Sequence, residues 1–290
     1  MLLNDFIKYK MHIKKNENTR SAYYLDLSQW LKFQFNKLDV TAQELEDVQM
    51  SDIINYTDEL SGRAESTKAR KTSSIKAFYN YLISQKHVKE SPLEHLPQPK
   101  LPERDPIFLT ADECRELVDS IDTVSRSNKI RNRAIIVLLI NTGVRVSELV
   151  GLKLKDIKLK EKKISVIGKR DKQRTIPITN SCIKVLEEYL ESKDIQYNDY
   201  VFTNTHKKPM TRHGVWEMVK IHCKAIGRPE VSPHKLRHTY ATALVNSRAP
   251  LKQIQRNLGH TDIRTTDMYT HTYESTMHDV VENSPLSDIY

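Results

Sequence analysis

A chain of 290 residues is long for one hydrophobic core and comfortable for two domains, and its 7 glycines, roughly a third of the ~7% usage of an average protein, favour helix over sheet. The formal charge of +9 is uneven: residues 1–98 hold 14 Lys+Arg against 13 Asp+Glu and the remainder 32 against 24, a bias that suits a polyanionic partner because lysine and arginine displace counterions from phosphates. Cys114, Cys182 and Cys223 form no Cys-x-x-Cys pair, which excludes a disulfide framework and a cysteine-rich zinc site; no signal-type apolar core opens the chain and the longest apolar run, residues 134–140, is far too short to span a bilayer, so a soluble cytoplasmic protein is expected.

Residues 2–14 predict a short helix, and Asn18-Thr19 reads as the cap of a longer one reaching about residue 37, with Tyr24, Leu27, Leu31 and Phe35 at helical spacing. Ser51 opens a third helix with Ile53, Ile54 and Tyr56 available for burial, and Ser66-Thr67 a fourth that carries Ile75, Phe78, Tyr79 and Leu82. In the first half of that fourth helix Lys68, Arg70, Lys71 and Lys76 stand among Thr72, Ser73 and Ser74. Such a segment either lies along a DNA groove or forms a solvated basic face. The expected product is a four-helix bundle over residues 1–96. Pro97, Pro99, Pro102 and Pro106 then break any helix and mark residues 97–107 as a linker.

From residue 108 the pattern remains mainly helical. Thr110 and Glu113 have capping-box spacing and open a helix to about residue 122. Residues 130–141 read as a buried helix stopped by Gly143 in the left-handed conformation, with Arg145 just beyond the stop and a short helix from Ser147. Residues 164–167 and 174–178 are the strand candidates, joined by a basic hairpin turn that holds Gly168, Lys169 and Arg170. Thr179 or Asn180 caps a helix to about 192, residues 201–203 are a short strand or extended segment, and residues 211–226 form a helix ended by Gly227. Pro233 suits the first position of a helix bearing His234, Arg237 and His238, Pro250 opens one ending at Gly259, and residues 273–281 form a last helix. The fold class is mainly α with one small antiparallel sheet.

His234 and Arg237 are i and i+3 and share a helix face, so both can address one phosphate. Arg145 precedes a helix N-terminus, where a guanidinium and free backbone amides can converge on an anion. Each alone is an ordinary surface feature. Together, Thr142-Gly143-Val144-Arg145-Val146-Ser147-Glu148-Leu149, the Gly168-Lys169 hairpin, His234-Lys235-Leu236-Arg237, Leu258-Gly259-His260 and Tyr269 nine residues later resemble the ordered signature of the tyrosine recombinases, or phage integrase family. The bundle resembles that family's SAM-like core-binding domain, and residues 108–290 its catalytic domain. Because the first helix begins almost at Met1, with no arm-binding domain expected ahead of it, the chain looks most like the compact Xer-type members.

The resemblance implies site-specific cleavage and rejoining of double-stranded DNA through a 3′-phosphotyrosyl intermediate, with no metal, ATP or other cofactor. It makes Tyr269 the nucleophile, Arg145 and Arg237 the grip on the scissile phosphate, and Lys169 the general acid. His234 and His260 bond the phosphate or move protons at Tyr269, and Glu148 orients its neighbours. Lys68, Arg70, Lys71, Lys76 and Arg170 become DNA contacts. It further implies DNA held between the two domains, a homotetramer on two duplexes, with or without a partner recombinase, nucleoid association, and exchange of residues 273–290 between subunits. Other readings stay open: a type IB topoisomerase-like enzyme, or a DNA-binding relative without turnover. His234 and His238 have the spacing of a zinc pair, but Lys235 stands where a zinc protease motif needs Glu. Tyr240, Tyr273 and Tyr290 are rival nucleophiles, set aside by their spacing from His260.

Overall fold

Five helices build the N-terminal part of the computed structural model, in which residues 1–13, 17–94, 107–125, 127–168 and 172–259 are described. They are α1 (Leu2–Ile13), α2 (Glu17–Phe35), α3 (Ala42–Glu46), α4 (Met50–Glu59) and α5 (Glu65–Ser84). The bundle has one helix more than expected: α3 is a five-residue helix closed by a capping box between Thr41 and Glu44. Phe6, Leu27, Trp30, Leu31, Phe78 and Tyr79 fill the core, and the Phe6 ring meets Tyr23 and Phe78 edge-on at 5.5 and 5.3 Å. The apolar stripe of α2 therefore runs through residues 23, 27, 30 and 31, and Tyr24, expected inside, is 42% exposed. In α4 the buried face is Ile53 and Tyr56, three residues apart, which turns Ile54 outward.

The chain separates into two units, Met1–Arg104 and Asp105–Tyr290. In the second, α6 (Ala111–Val124) starts at the Thr110–Glu113 capping box, and α7 (Lys129–Thr142) buries Ala134, Ile135, Ile136, Leu138 and Leu139 on nearly every side. A helix apolar all round belongs at the centre of a core; α6, α9 (Asn180–Glu191) and α11 (Pro233–Asn246) pack around it. The short α8 (Val146–Val150) leads into an antiparallel sheet in the order β1 (Ile157–Lys158), β2 (Lys163–Ile167), β3 (Gln173–Pro177). The two-residue β1 is an addition to the expected pair of strands. Residues 201–203 form no strand of their own; Thr203 makes an isolated bridge to Pro209. α10 (Arg212–Ala225) and α12 (Leu251–Leu258) complete the described helices. The expected helix at 273–281 lies outside the described residues, as do most of the proline-rich residues 97–107. No helix among the described residues is long and apolar enough to cross a membrane.

One backbone feature determines where the site begins. Gly143 caps α7 at φ +59°, and its amide donates to the Leu139 carbonyl, so the chain turns sharply two residues before Arg145. A Cβ at Gly143 would stand 2.5 Å from the Tyr240 ring. Gly143→Ala is therefore expected to combine left-handed strain with displacement of Tyr240 and to cost about 1–3 kcal/mol; differential scanning calorimetry should show a correspondingly lower melting temperature.

Candidate active site

The last turn of α12 provides the floor of the site. The final carbonyls of a helix have no partner within it and lie at its negative end, so they attract cations. Here Asn257 O accepts from Arg174 Nε at 2.8 Å, Leu258 O accepts from both Arg237 Nη2 and, at 3.5 Å, Arg145 Nη1, and Gly259 O accepts from Arg145 Nη2 at 3.3 Å. Gly259 ends the helix at φ +63°. Arg237 also donates to Gly143 O at 2.6 Å and is only 5% exposed; a guanidinium that deep requires such partners. The left-handed stop of α7 and the end of α12 thus hold the two arginines at one carbonyl oxygen.

Glu148 sits beneath Arg145. Its side chain is 2% exposed and accepts four hydrogen bonds: Oε2 from the Arg145 backbone amide at 2.8 Å and Arg174 Nη2 at 2.8 Å, and Oε1 from Arg145 Nη1 at 3.0 Å and Arg174 Nη1 at 2.7 Å. Burial by itself would raise the Glu148 carboxyl. The hydrogen bonds from Arg174 and the Arg145 amide, with the charges of both arginines, outweigh burial and hold it below the ordinary carboxylate range. Arg145 remains 37% exposed in its side chain. Among the described residues its Nε and one Nη2 hydrogen take no partner, leaving donors for an anion.

His234, one turn before Arg237 on α11, stands at the exposed margin of this cluster. Its ring meets that of His238 edge-on, 4.5 Å between centroids. Desolvation first, then the charges of Arg237, Lys235 and Arg145, lower its pKa below the usual 6.5, so the imidazole is neutral at neutral pH. Tyr240, a rival nucleophile by residue type, is buried, and burial raises its pKa.

Of the residues expected to form the site, Arg145, Glu148, His234 and Arg237 come together. Lys169, Arg170, His260 and Tyr269 lie outside the described residues; Gly168 and Gly259, which adjoin Lys169 and His260 in sequence, stand beside the cluster. A Cβ on Gly168 would be 3.3 Å from Arg174 Nη1 and 3.4 Å from Glu148 Oε1, and one on Gly259 3.0 Å from Arg174 Nη1. Arg174 was not anticipated from the sequence. The available signal was strand alternation: Arg174 and Ile176 share the inner face of β3, and a charge on an inner face calls for a buried partner.

The basic residues of α5 divide. Arg70 pairs with Asp26 and keeps about half its side chain exposed; Lys68 pairs with Glu65 at 2.8 Å, and Lys76 is half-buried. Lys71 corrects the expectation of a groove contact. Its side chain points into the bundle, 6% exposed, and donates to the Gln29 side chain and to Tyr56 Oη, with Asp26 Oδ1 at 3.7 Å. Helix phase is the reason: Lys71 lies on the α5 face that carries Ser74, Ile75 and Phe78.

Residues 107–276 match the phage integrase family, and residues 3–86 match the phage integrase N-terminal SAM-like domain. The chain belongs to the phage integrase family, and within it to the Xer-type tyrosine recombinases. Tyrosine recombinase XerC of Caldanaerobacter subterraneus subsp. tengcongensis is 34% identical, the match covering 99% of this chain and 87% of that protein. Tyrosine recombinase XerD of Halalkalibacterium halodurans is also 34% identical, covering 96% of each. Among solved structures, the XerH site-specific recombinase bound to difH substrate in a pre-cleavage complex shares the fold at a TM-score of 0.75 and 22% identity, covering 97% of this chain and 94% of that one. The Tn1549 transposon integrase in complex with transposon right end DNA shares it at 0.77 and 20%, covering 97% and 99%.

An NMR titration is expected to place His234 below 6.5. Lys235→Gln should move it upward while leaving it below 6.5, because desolvation of the ring by its packed side, the larger cause, remains.

Proposed function

We propose that this recombinase cuts and reseals double-stranded DNA at a specific site through a 3′-phosphotyrosyl intermediate on Tyr269, without metal or ATP. The observation that carries the reading is the convergence of Arg145 and Arg237 on the Leu258 carbonyl beside His234. Two guanidinium groups fixed in this way can hold the non-bridging oxygens of one phosphate and oppose the charge that grows on them in the transition state. Since the donors are held before substrate arrives, little reorganisation is needed at the moment of reaction.

In this reading Tyr269 Oη attacks phosphorus, the P–O5′ bond breaks, and Lys169 supplies the proton to the departing 5′ oxygen. His234 and His260 bond the phosphate or relay the tyrosine's proton, which at an unperturbed pKa of ~10 must be removed for attack. One phosphoester is exchanged for another, so a second 5′ hydroxyl can reverse the step without an energy source. Water as nucleophile would discard the bond. Residues 1–96 act as the core-binding domain and 108–290 as the catalytic domain; Lys68, Arg70, Lys76 and Arg170 contact DNA, whereas Lys71 acts within the bundle. Four copies assemble on two duplexes, with residues 273–290 exchanged between neighbours.

On a nicked suicide substrate, Tyr269→Phe is expected to bind DNA as the wild type does and to form no covalent adduct, measured by gel shift and denaturing gel. An undiminished adduct would rule out Tyr269. Adduct formation by the wild type should persist in excess EDTA; a strict requirement for divalent cation would contradict the metal-free reading.

A further inference from the structure

Arg174 belongs to none of the roles assigned above, yet three of its nitrogens are committed inside the site. Nη1 and Nη2 span both oxygens of Glu148 at 2.7 and 2.8 Å, and Nε reaches Asn257 O at 2.8 Å, with the side chain 12% exposed. Each Glu148 oxygen therefore accepts one bond from Arg174 and one from Arg145. The carboxylate lies between the two arginines, one from a β-strand and one from the start of α8.

We infer that Arg174 is a positioning residue for strand cleavage: its fork fixes and neutralises Glu148, so that Glu148 orients Arg145 without drawing that guanidinium's charge away from the phosphate. The inference rests on the proposed reading of Arg145 as a phosphate ligand. Two physical points support it. With one arginine, a buried carboxylate forms a closed ion pair with Arg145, and the field left for a substrate anion is weak; with two, the group of three carries a net positive charge. Arg174 also fills the space that a Cβ on Gly168 or Gly259, the neighbours of Lys169 and His260, would enter. A lysine at 174 would keep the charge but, as a single donor point, could not span both carboxylate oxygens and Asn257 O.

The test measures single-turnover adduct formation on the nicked suicide substrate, DNA affinity by gel shift, and melting temperature. Arg174→Gln is expected to slow cleavage about 10²-fold, as small displacements of a positioned group do. Arg174→Lys should slow it at least ~10-fold while melting close to the wild type. The loss should appear at saturating enzyme, with affinity for uncleaved duplex within about 3-fold of wild type, because binding is dominated by contacts elsewhere on the phosphates. Glu148→Gln alone should also slow cleavage, and the double variant should be no slower than the slower single, since residues acting as a unit are not additive. Wild-type rates in Arg174→Lys, multiplying effects in the double variant, or an affinity loss as large as the rate loss would each overturn the assignment; the last would make Arg174 a direct DNA contact. If Arg174→Gln fails to fold, Arg174→Lys carries the test. Absence of an adduct in the wild type itself would instead sink the phosphotyrosyl reading, and the inference with it.

Discussion

Three guanidinium groups rest on the unpaired carbonyls at the end of one helix. Asn257, Leu258 and Gly259 present oxygens that α12 cannot satisfy internally, and Arg174, Arg145 and Arg237 satisfy them. Each side resolves the other's difficulty: buried carbonyls need donors, and arginines crowded together need acceptors and a compensating anion. Glu148 is that anion. Other elements of the second unit deliver these groups to one place: Gly143 turns the chain to Arg145, β3 carries Arg174, and Pro233 starts the helix that holds His234 and Arg237.

The N-terminal bundle uses a related device for a different end. Asp26 on α2 is 1% exposed and gathers Arg70, Ser74 and, at longer range, Lys71 from α5. Burial pushes the Lys71 ammonium down from its usual range while Asp26 pulls it up, with a net lowering. A buried carboxylate is costly without such partners, so the polar cluster fixes how α5 lies against α2 and lets Arg70 emerge half exposed beside a lysine that does not.

What the sequence made legible were features whose cause is local. The Thr110–Glu113 box, the glycine stop at 143 and the proline start at 233 each depend on a few neighbouring residues, and each stands where expected. That Arg145 and Arg237 lie together was legible through the ordered motifs that resemble the family's signature. Less legible were features decided by partners distant in sequence: the inward turn of Lys71, the inner-face Arg174, and the one-residue phase that puts Tyr23 rather than Tyr24 against Phe6. Short elements carry too little pattern to be read from sequence. β1 has two residues and α3 five, too few to display a period, although Thr41 and Glu44 carried the capping signature.

The brevity of α12 has a further meaning. Eight residues are fewer than an isolated helix needs to persist in water, so its order is sustained by Ile254 and Leu258 packing on α11 and by the arginines at its end. Helix and cation cluster therefore support each other, and the fraying equilibrium of so short a helix depends on both. By thermodynamic linkage, an anion that enters between the guanidinium groups shifts that local equilibrium toward the folded helix. Occupancy of the site and order in the chain leading to residue 260 are two readings of a single free energy.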